Sequence, residues 1–203
     1  MKSLQRKNLI ILSVLSFFFC AILTYLVLHT KTFSLDSFVQ NKMIAMRHYN
    51  LTPFILFITN IASPLVLYMF SIVLYFFLVS LNRIKDSVIF IFSMFVGAVS
   101  FSLIKIFTEI ERPLNKITGV SGWSFPSGHT TMATIAFLLT LYFFKDKIVS
   151  DRHRKIFIGV FSALVVLVAF SRLYLGAHFL SDVLGGLFLG LGIVCISVIF
   201  SKS

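Results

Sequence analysis

Long apolar blocks, separated by short groups of charged residues, dominate the pattern along this chain. The first block covers residues 9–28 without a charge, which is the length that an α-helix needs to cross a bilayer. Charged positions divide the rest into five more candidate spans, at about 65–81, 87–107, 127–144, 156–174 and 179–201. The pattern predicts an all-α integral membrane bundle of six transmembrane helices, with residues 1–203 forming a single domain.

The segment between the first two predicted spans has a different pattern. Residues 31–50 mix polar and apolar positions, and the uncharged stretch that follows is interrupted by Pro53, Asn60 and Pro64. Proline removes a backbone donor, and irregular backbone inside a membrane must be covered by protein. We therefore expect a short interfacial helix or a re-entrant segment here.

Composition supports a membrane protein. The chain is 58% hydrophobic and 12% charged, whereas about 25% of the residues of a soluble domain are charged. The net charge of +11 would suggest nucleic acid as the partner of a soluble protein. Here Lys and Arg flank membrane spans and meet anionic headgroups, so we expect membrane lipids and no nucleic acid. Cys20 and Cys195 lie in apolar stretches and are expected to be buried, without a disulfide.

The distribution of positive charge predicts the orientation. If the N-terminus is cytoplasmic, eleven of the eighteen Lys and Arg residues face the cytoplasm. Three of the remaining seven, Lys105, Arg112 and Arg172, belong to the polar cluster described next. The positive-inside rule then favours cytoplasmic N- and C-termini.

Ionisable residues collect at the opposite face of the predicted bundle, and such residues are costly near a bilayer and generally mark function. They lie at the ends of spans three and five, at the starts of spans four and six, and in one loop. The set comprises Lys105, Arg112, Ser127, Gly128, His129, Arg172, His178 and Asp182. The sequence therefore predicts one site at a mouth of the bundle.

The spacing of these residues suits an anion. Lys105 and Arg112 are seven residues apart and would share a helix face if the third span continued that far. Ser127 is a suitable N-cap, and Gly128 would let the backbone approach a ligand. The positive end of the fourth helix would then attract an anion.

The histidines add chemistry to this anion site. Asp182 lies four residues after His178, which would place a carboxylate beside the imidazole to orient it. Of the two histidines, His129 and His178, one can attack phosphorus while the other protonates the leaving alkoxide. The cations match the charge that a phosphoryl group spreads over its oxygens. Because the sequence has no carboxylate-rich cluster suited to magnesium, we predict no metal and no cofactor.

Two further features have simpler interpretations. Glu109 and Glu111 either form salt bridges with Lys105 or Arg112, or line a substrate entrance. Gly186 and Gly190 are four residues apart in the last span, which is typical of closely packed membrane helices.

Three groups of residues together resemble the signature of the phosphatidic acid phosphatase type 2 superfamily, and the resemblance is strongest over residues 87–200. They are Lys105-(six residues)-Arg112-Pro113, then Pro126-Ser127-Gly128-His129, then Ser171-Arg172-(five residues)-His178-(three residues)-Asp182. The resemblance implies that His178 attacks phosphorus and forms a phosphohistidine, that Asp182 orients His178, and that His129 is the general acid. It implies that the phosphoryl oxygens are bound by Lys105, Arg112, Ser127, Gly128 and Arg172.

The resemblance also bears on substrate and location. It implies a lipid phosphatase in the bacterial inner (cytoplasmic) membrane, and the distribution of positive charge predicts an extracytoplasmic site. Such a site favours undecaprenyl diphosphate slightly over phosphatidylglycerol phosphate, and lipid A 1-phosphate is an alternative. Two other classes stay open, a membrane anion transporter and a non-catalytic lipid-binding protein. Neither the oligomeric state nor the preference for monophosphate or diphosphate is indicated.

Overall fold

A computed structural model describes residues 2–30 and 33–201, so Lys31 and Lys202 of the charge count lie outside the described residues. Every regular element in the described part is helical. The α-helices are α1 (Lys2–His29), α2 (Ser34–Ala45), α3 (Leu51–Ile61), α4 (Pro64–Ser80), α5 (Ile84–Thr108), α6 (Gly128–Phe144), α7 (Asp151–Tyr174) and α8 (Leu180–Ser201). A short 3₁₀ turn, Lys145–Lys147, follows α6.

Four of these helices, α1, α5, α7 and α8, are each long and apolar enough to cross a membrane. Helices α3 and α4 meet that condition together, as a pair bent by 48°. Helix α6 has 17 residues, about 25 Å of helix, which is shorter than a hydrocarbon core of about 30 Å. The all-α fold is confirmed, with four or five candidate membrane spans among the described residues, and the count of six stays a prediction.

Serine side chains fix the starts of three helices. Ser63, Ser127 and Ser150 each accept a hydrogen bond from the backbone N–H three residues further on, as N-caps do. Helix α5 ends at Glu109, whose φ of 50° lies in the left-handed region. The helix therefore stops before Arg112, so Lys105 and Arg112 do not share a helical face.

Helix α8 packs closely on its neighbours through glycines. A Cβ at Gly186 would lie 2.6 Å from the Ser127 carbonyl oxygen, and one at Gly190 would lie 2.7 Å from Thr134 Cβ. Gly192 faces α1, where an added Cβ would lie 2.7 Å from the Phe17 ring. The interpretation of Gly186 and Gly190 as close-packing residues is confirmed.

The segment between α1 and α4 is tied to the ends of α7 and α8. Asp36 of α2 is buried and accepts hydrogen bonds from the Ser181 N–H (2.9 Å) and Ser181 Oγ (2.8 Å), at the start of α8. Arg47 Nε donates to the Tyr174 carbonyl at 3.0 Å, at the end of α7. These contacts anchor α2 against the two helices that flank the loop carrying His178. An interfacial position for α2 stays a prediction.

The apolar core lies among α4, α5, α6 and α8, where Phe90, Met94 and Leu139 are fully buried. Cys20 and Cys195 are both buried and neither forms a disulfide, as the sequence predicted. Large hydrophobic side chains elsewhere on α1, α4 and α5 are exposed, which is expected of helices whose outer faces meet lipid.

We expect Gly186→Ala to destabilise the protein by about 1–3 kcal/mol, the usual result of overpacking a close contact. The new methyl group would push against the Ser127 carbonyl, which is backbone and cannot rotate away. Gly159→Ala in α7 is the matched control, because nothing lies within 4 Å of its added Cβ. Thermal unfolding in detergent measures both, and equal stability of the two variants would contradict the prediction.

Candidate active site

His178 and Asp182 lie together at the start of α8 and are almost completely buried, with 4% and 0% exposure. His178 Nδ1 is 3.3 Å from Asp182 Oδ2, which also accepts a hydrogen bond from the Phe179 N–H at 2.8 Å. In this second bond the carboxylate at the N3 position, Asp182, accepts from the backbone N–H of the N-cap residue, Phe179, as in a capping box. The contact between His178 and Asp182 that the spacing predicted is therefore present. Because α8 begins at Leu180, His178 precedes the helix, and the two residues meet at its N-terminus and do not share one helical face.

The hydrogen bonds around His178 define its tautomer. Arg112 Nη1 lies 3.1 Å from His178 Nε2. Because a guanidinium can only donate, Nε2 must accept and the ring proton is on Nδ1. That proton faces Asp182 Oδ2 and also Ser124 Oγ, which is 3.2 Å from Nδ1. Ser124 in turn donates to Asp182 Oδ2 at 2.5 Å.

The surroundings of His178 favour its neutral form. Burial is the largest cause that lowers the pKa of His178 well below its ordinary value, followed by the positive charges of Arg172, Arg112 and Lys105. His129 adds to the same effect. A neutral imidazole is the form that can act as a nucleophile, through the Nε2 lone pair that here accepts from Arg112.

Lys105 and Arg112 converge because both hold the same loop. Lys105 Nζ donates to the carbonyls of Trp123 (2.6 Å) and Ser124 (2.7 Å). Arg112 donates to the carbonyls of Gly122 (2.9 Å, from Nε) and Trp123 (3.1 Å, from Nη2). The two cations therefore meet through loop carbonyls, although α5 ends before Arg112.

The acidic residues of that loop do not neutralise these cations. Glu109 and Glu111 are both exposed, and within the described ranges neither forms an ion pair. The structure therefore does not support salt bridges between these glutamates and Lys105 or Arg112. That the glutamates line a substrate entrance stays a prediction.

Arg172 is a buried cation with incomplete hydrogen bonding. Its exposure is 2%, and its Nη1 donates to Thr59 Oγ1 of α3 at 2.5 Å. Its Nε and Nη2 are also buried but have no hydrogen-bond partner among the described residues. A buried charge with unpaired donors is costly, and these two groups can donate to an anion.

The start of α6 joins this site through Ser127. The Ser127 N–H donates to the Asp182 carbonyl at 2.9 Å, and Ser127 Oγ caps α6 by accepting from the N–H (3.4 Å) and hydroxyl (3.0 Å) of Thr130. Phe101 of α5 packs against Gly128, where an added Cβ would lie 3.0 Å from its ring. Close packing is thus an observed reason for glycine at this position.

His129 is partly exposed and, among the described residues, its side chain makes no hydrogen bond. It is therefore free to contact a ligand. No group of three or more His, Cys, Asp or Glu side chains within residues 2–30 and 33–201 is arranged to hold a metal ion.

Sequence reasoning missed three polar residues that support the site. Ser124 bonds to both members of the His178–Asp182 pair, Thr59 accepts from Arg172, and Asp36 caps α8. Their partners in these bonds are 54 to 145 residues distant in the chain. Of these three, only Asp36 could have been singled out from the sequence, because it is the one carboxylate in the mixed segment after the first span.

Comparison with known proteins identifies similar chains. The family model described as the PAP2 superfamily matches residues 86–202. Phosphatidylglycerophosphatase B of Bacillus subtilis (strain 168) is 43% identical over 72 residues, which are 35% of this chain and 36% of that protein. The match with this curated relative thus spans about a third of its length.

Two solved structures have similar folds. The crystal structure of a transmembrane PAP2 type phosphatidylglycerolphosphate phosphatase from Bacillus subtilis matches with a TM-score of 0.85 and 26% identity, over 94% of this chain and 96% of that chain. Aquifex aeolicus LpxE matches with a TM-score of 0.66 and 25% identity, over 85% of this chain and 98% of that chain.

We expect His178 to remain neutral when the pH falls through 6.5, the ordinary pKa of histidine. A lowered pKa means that protonation occurs only at a pH below that value, after ordinary histidines have become charged. Side-chain ¹⁵N chemical shifts of labelled protein measure this, with His178→Gln to assign the signal and acid-unfolded protein as the control. Protonation of the His178 signal at or above pH 6.5 would contradict the prediction.

Proposed function

The chain belongs to the PAP2 superfamily of phosphatases, and we propose that it hydrolyses a lipid phosphate through attack by His178 on phosphorus. One observation carries the proposal. A neutral imidazole, fixed by Asp182 and Ser124, lies in the electrostatic field of Arg172, whose two buried donors have no hydrogen-bond partner among the described residues. Its Nε2 accepts from Arg112, and this lone pair can turn to phosphorus when Arg112 donates to a phosphoryl oxygen instead. A nucleophile beside unpaired cationic donors is the arrangement that phosphoryl transfer requires.

In the first step, His178 Nε2 forms a bond to phosphorus while the bond from phosphorus to the lipid oxygen breaks. The imidazole becomes positively charged, and the Asp182 carboxylate beside Nδ1–H stabilises that charge. His129 gives its proton to the leaving lipid oxygen, so the product is a neutral alcohol, or a lipid monophosphate if the substrate is a diphosphate.

In the second step, water attacks the phosphohistidine. His129, now deprotonated, takes a proton from that water. The bond between nitrogen and phosphorus breaks, inorganic phosphate leaves, and His178 returns to its neutral form.

The proposed phosphate site uses Lys105, Arg112 and Arg172, together with the start of α6 at Ser127 and Gly128. Three cations and a helix N-terminus can donate to all three phosphoryl oxygens. They supply the positive charge that divalent metals supply in other phosphoryl-transfer enzymes, so we propose a metal-independent reaction.

For the membrane arrangement, we propose six crossings, formed by α1, the bent pair α3–α4, α5, α6, α7 and α8. The chain would lie in a bacterial cytoplasmic membrane as one domain, with cytoplasmic termini and an extracytoplasmic site.

We propose phosphatidylglycerol phosphate or undecaprenyl diphosphate as the substrate. The names of the Bacillus subtilis matches, which describe one kind of phosphatase, support the former, and an extracytoplasmic site supports the latter. The likeness to LpxE keeps lipid A 1-phosphate as an alternative. An anion transporter would need polar residues through the whole membrane depth, whereas the described cluster lies at one end of the bundle.

Removing the proposed nucleophile tests the reaction. We expect His178→Ala to lower kcat for phosphate release by about a thousandfold or more, as loss of a nucleophile does in other hydrolases. The substrates are undecaprenyl diphosphate, phosphatidylglycerol phosphate, phosphatidic acid and lipid A in detergent, with EDTA present throughout.

His153→Ala is the control for that experiment, because His153 is exposed and lies at the start of α7, remote from the site. It should keep the full rate. Complete loss of wild-type activity in EDTA would exclude the metal-independent reaction, and a fully active His178→Ala would exclude the proposed nucleophile. The ratios of kcat/KM across the panel identify the preferred lipid.

Cysteine labelling tests the orientation. Leu114 and Val149 are 93% and 98% exposed and lie at opposite ends of the bundle. We expect Leu114→Cys to react with an impermeant maleimide in intact cells, and Val149→Cys to react only after lysis. Background should be low because both native cysteines are buried. The reverse pattern would place the site in the cytoplasm.

A further inference from the structure

A polar cavity of about 820 Å³ lies at the end of the bundle opposite the candidate active site. It is bounded by the starts of α1 and α5 and the ends of α6 and α8. Its charged lining consists of Arg83, Lys85, Asp86, Lys145, Asp146 and Lys147. Lys85 and Lys105 are 20 residues apart on α5, which corresponds to about 30 Å of helix. The cavity and the active site are therefore separated by about the thickness of the hydrocarbon core.

Part of this charge is already used within the protein. Arg83 donates to Asp86 Oδ2 at 2.8 Å and to the Phe143 carbonyl at 2.9 Å. The other oxygen of Asp86 accepts from Ser201 Oγ at 2.9 Å. In the part of the chain that the structure describes, no ion pair involves the lysines of the cavity, Lys85, Lys145 and Lys147. Their positive charge remains available to a ligand.

An apolar groove of about 630 Å³ continues from Lys85, which lines both the groove and the cavity. The groove is formed by α5 and α8, with Phe17 of α1 at one side. Its α5 side runs from Val88 to Ser100, or about 18 Å of helix. That length is close to the depth of one leaflet of the hydrocarbon core, about 15 Å.

Two of the three serines that line the groove, Ser93 and Ser197, have partners within the protein. Ser93 Oγ and Ser197 Oγ are 2.7 Å apart, within hydrogen-bond distance of each other. Each hydroxyl is also within hydrogen-bond distance of the backbone carbonyl four residues earlier in its own helix. A polar ligand would therefore find no unpaired group at these serines. The groove suits an apolar chain, whereas the cavity suits a negative charge.

We propose that the cavity and the groove together bind one anionic phospholipid from the leaflet remote from the active site. Its phosphate would contact Lys85 and Lys145, and one acyl chain would lie in the groove between α5 and α8. The two parts of the site share Lys85, so a single amphipathic molecule can occupy both. This site does not depend on the proposed hydrolysis.

A small soluble anion would leave the groove uncovered, and a zwitterionic lipid would bring no net charge to the lysines. Charge complementarity thus selects an anionic lipid over both. Two lysines near a membrane surface favour an anionic headgroup by about tenfold in occupancy or more.

Quenching of a tryptophan by lipids with brominated chains tests the proposal. Trp123→Phe removes the single tryptophan, and Ile196→Trp then places a reporter at the groove. Val99→Trp is the matched control on α5, because Ile196 and Val99 are 39% and 40% exposed but only Ile196 lines the groove. Val88→Trp is a second groove reporter if the first variant fails to fold.

Each full-length variant is reconstituted in phosphatidylcholine vesicles with increasing fractions of brominated phosphatidylglycerol or brominated phosphatidylcholine. We expect half of the fluorescence of the groove reporter to be quenched at a fraction of brominated phosphatidylglycerol about tenfold lower than the fraction of brominated phosphatidylcholine that has the same effect. The control reporter should respond equally to the two lipids. Equal quenching of the groove reporter by both lipids would overturn the proposal.

The headgroup part is tested by adding Lys85→Gln and Lys145→Gln to the groove reporter. We expect the preference for phosphatidylglycerol to disappear. Arg152→Gln with Lys155→Gln removes the same charge from exposed residues of α7 that do not line the cavity, and should leave the preference intact. A preference that survives loss of the cavity lysines, or disappears equally in both double variants, would overturn the proposal.

Discussion

The buried carboxylate of Asp182 connects the parts from which the site is built. One of its oxygens accepts from Ser124 Oγ and the Phe179 N–H and lies beside His178 Nδ1, while its backbone carbonyl accepts from the Ser127 N–H. Through these four contacts Asp182 holds the proposed nucleophile, the loop, the start of α8 and the start of α6. All contacts of the carboxylate are to Oδ2, whereas Oδ1 is also buried and has no hydrogen-bond partner among the described residues.

Around that carboxylate the protein places more positive charge than it neutralises. Lys105 and Arg112 donate to loop carbonyls, and Arg172 has only Thr59 as a partner among the described residues. An anionic substrate can complete the hydrogen bonding of Arg172, so binding energy is concentrated where charge is transferred. Burial and this positive field together keep His178 neutral, so the field contributes to two requirements of the proposed reaction.

The sequence predicted the features that depend on local pattern. Apolar blocks located the long helices, Ser127 marked the start of α6, and the spacing of His178 and Asp182 predicted their contact. The predicted end of the third span, at about residue 107, lies one residue from the observed end of α5 at Thr108. The left-handed conformation of Glu109 could not be predicted, because no glycine or proline stands there to indicate it. Ser124, Thr59 and Asp36 were missed because their roles depend on contacts between distant segments, which periodicity does not report.

The contact between Asp36 and Ser181 shows that the active site needs more of the chain than the segment that carries the motifs. The family model matches only residues 86–202, and all three signature motifs fall in that range. Yet Asp36 and Thr59, which cap α8 and support Arg172, lie outside it. A fragment that contained every motif residue would leave the Ser181 N–H and the Arg172 guanidinium without these partners. The first third of the chain is thus a structural part of the catalytic unit, and the motifs alone do not delimit it.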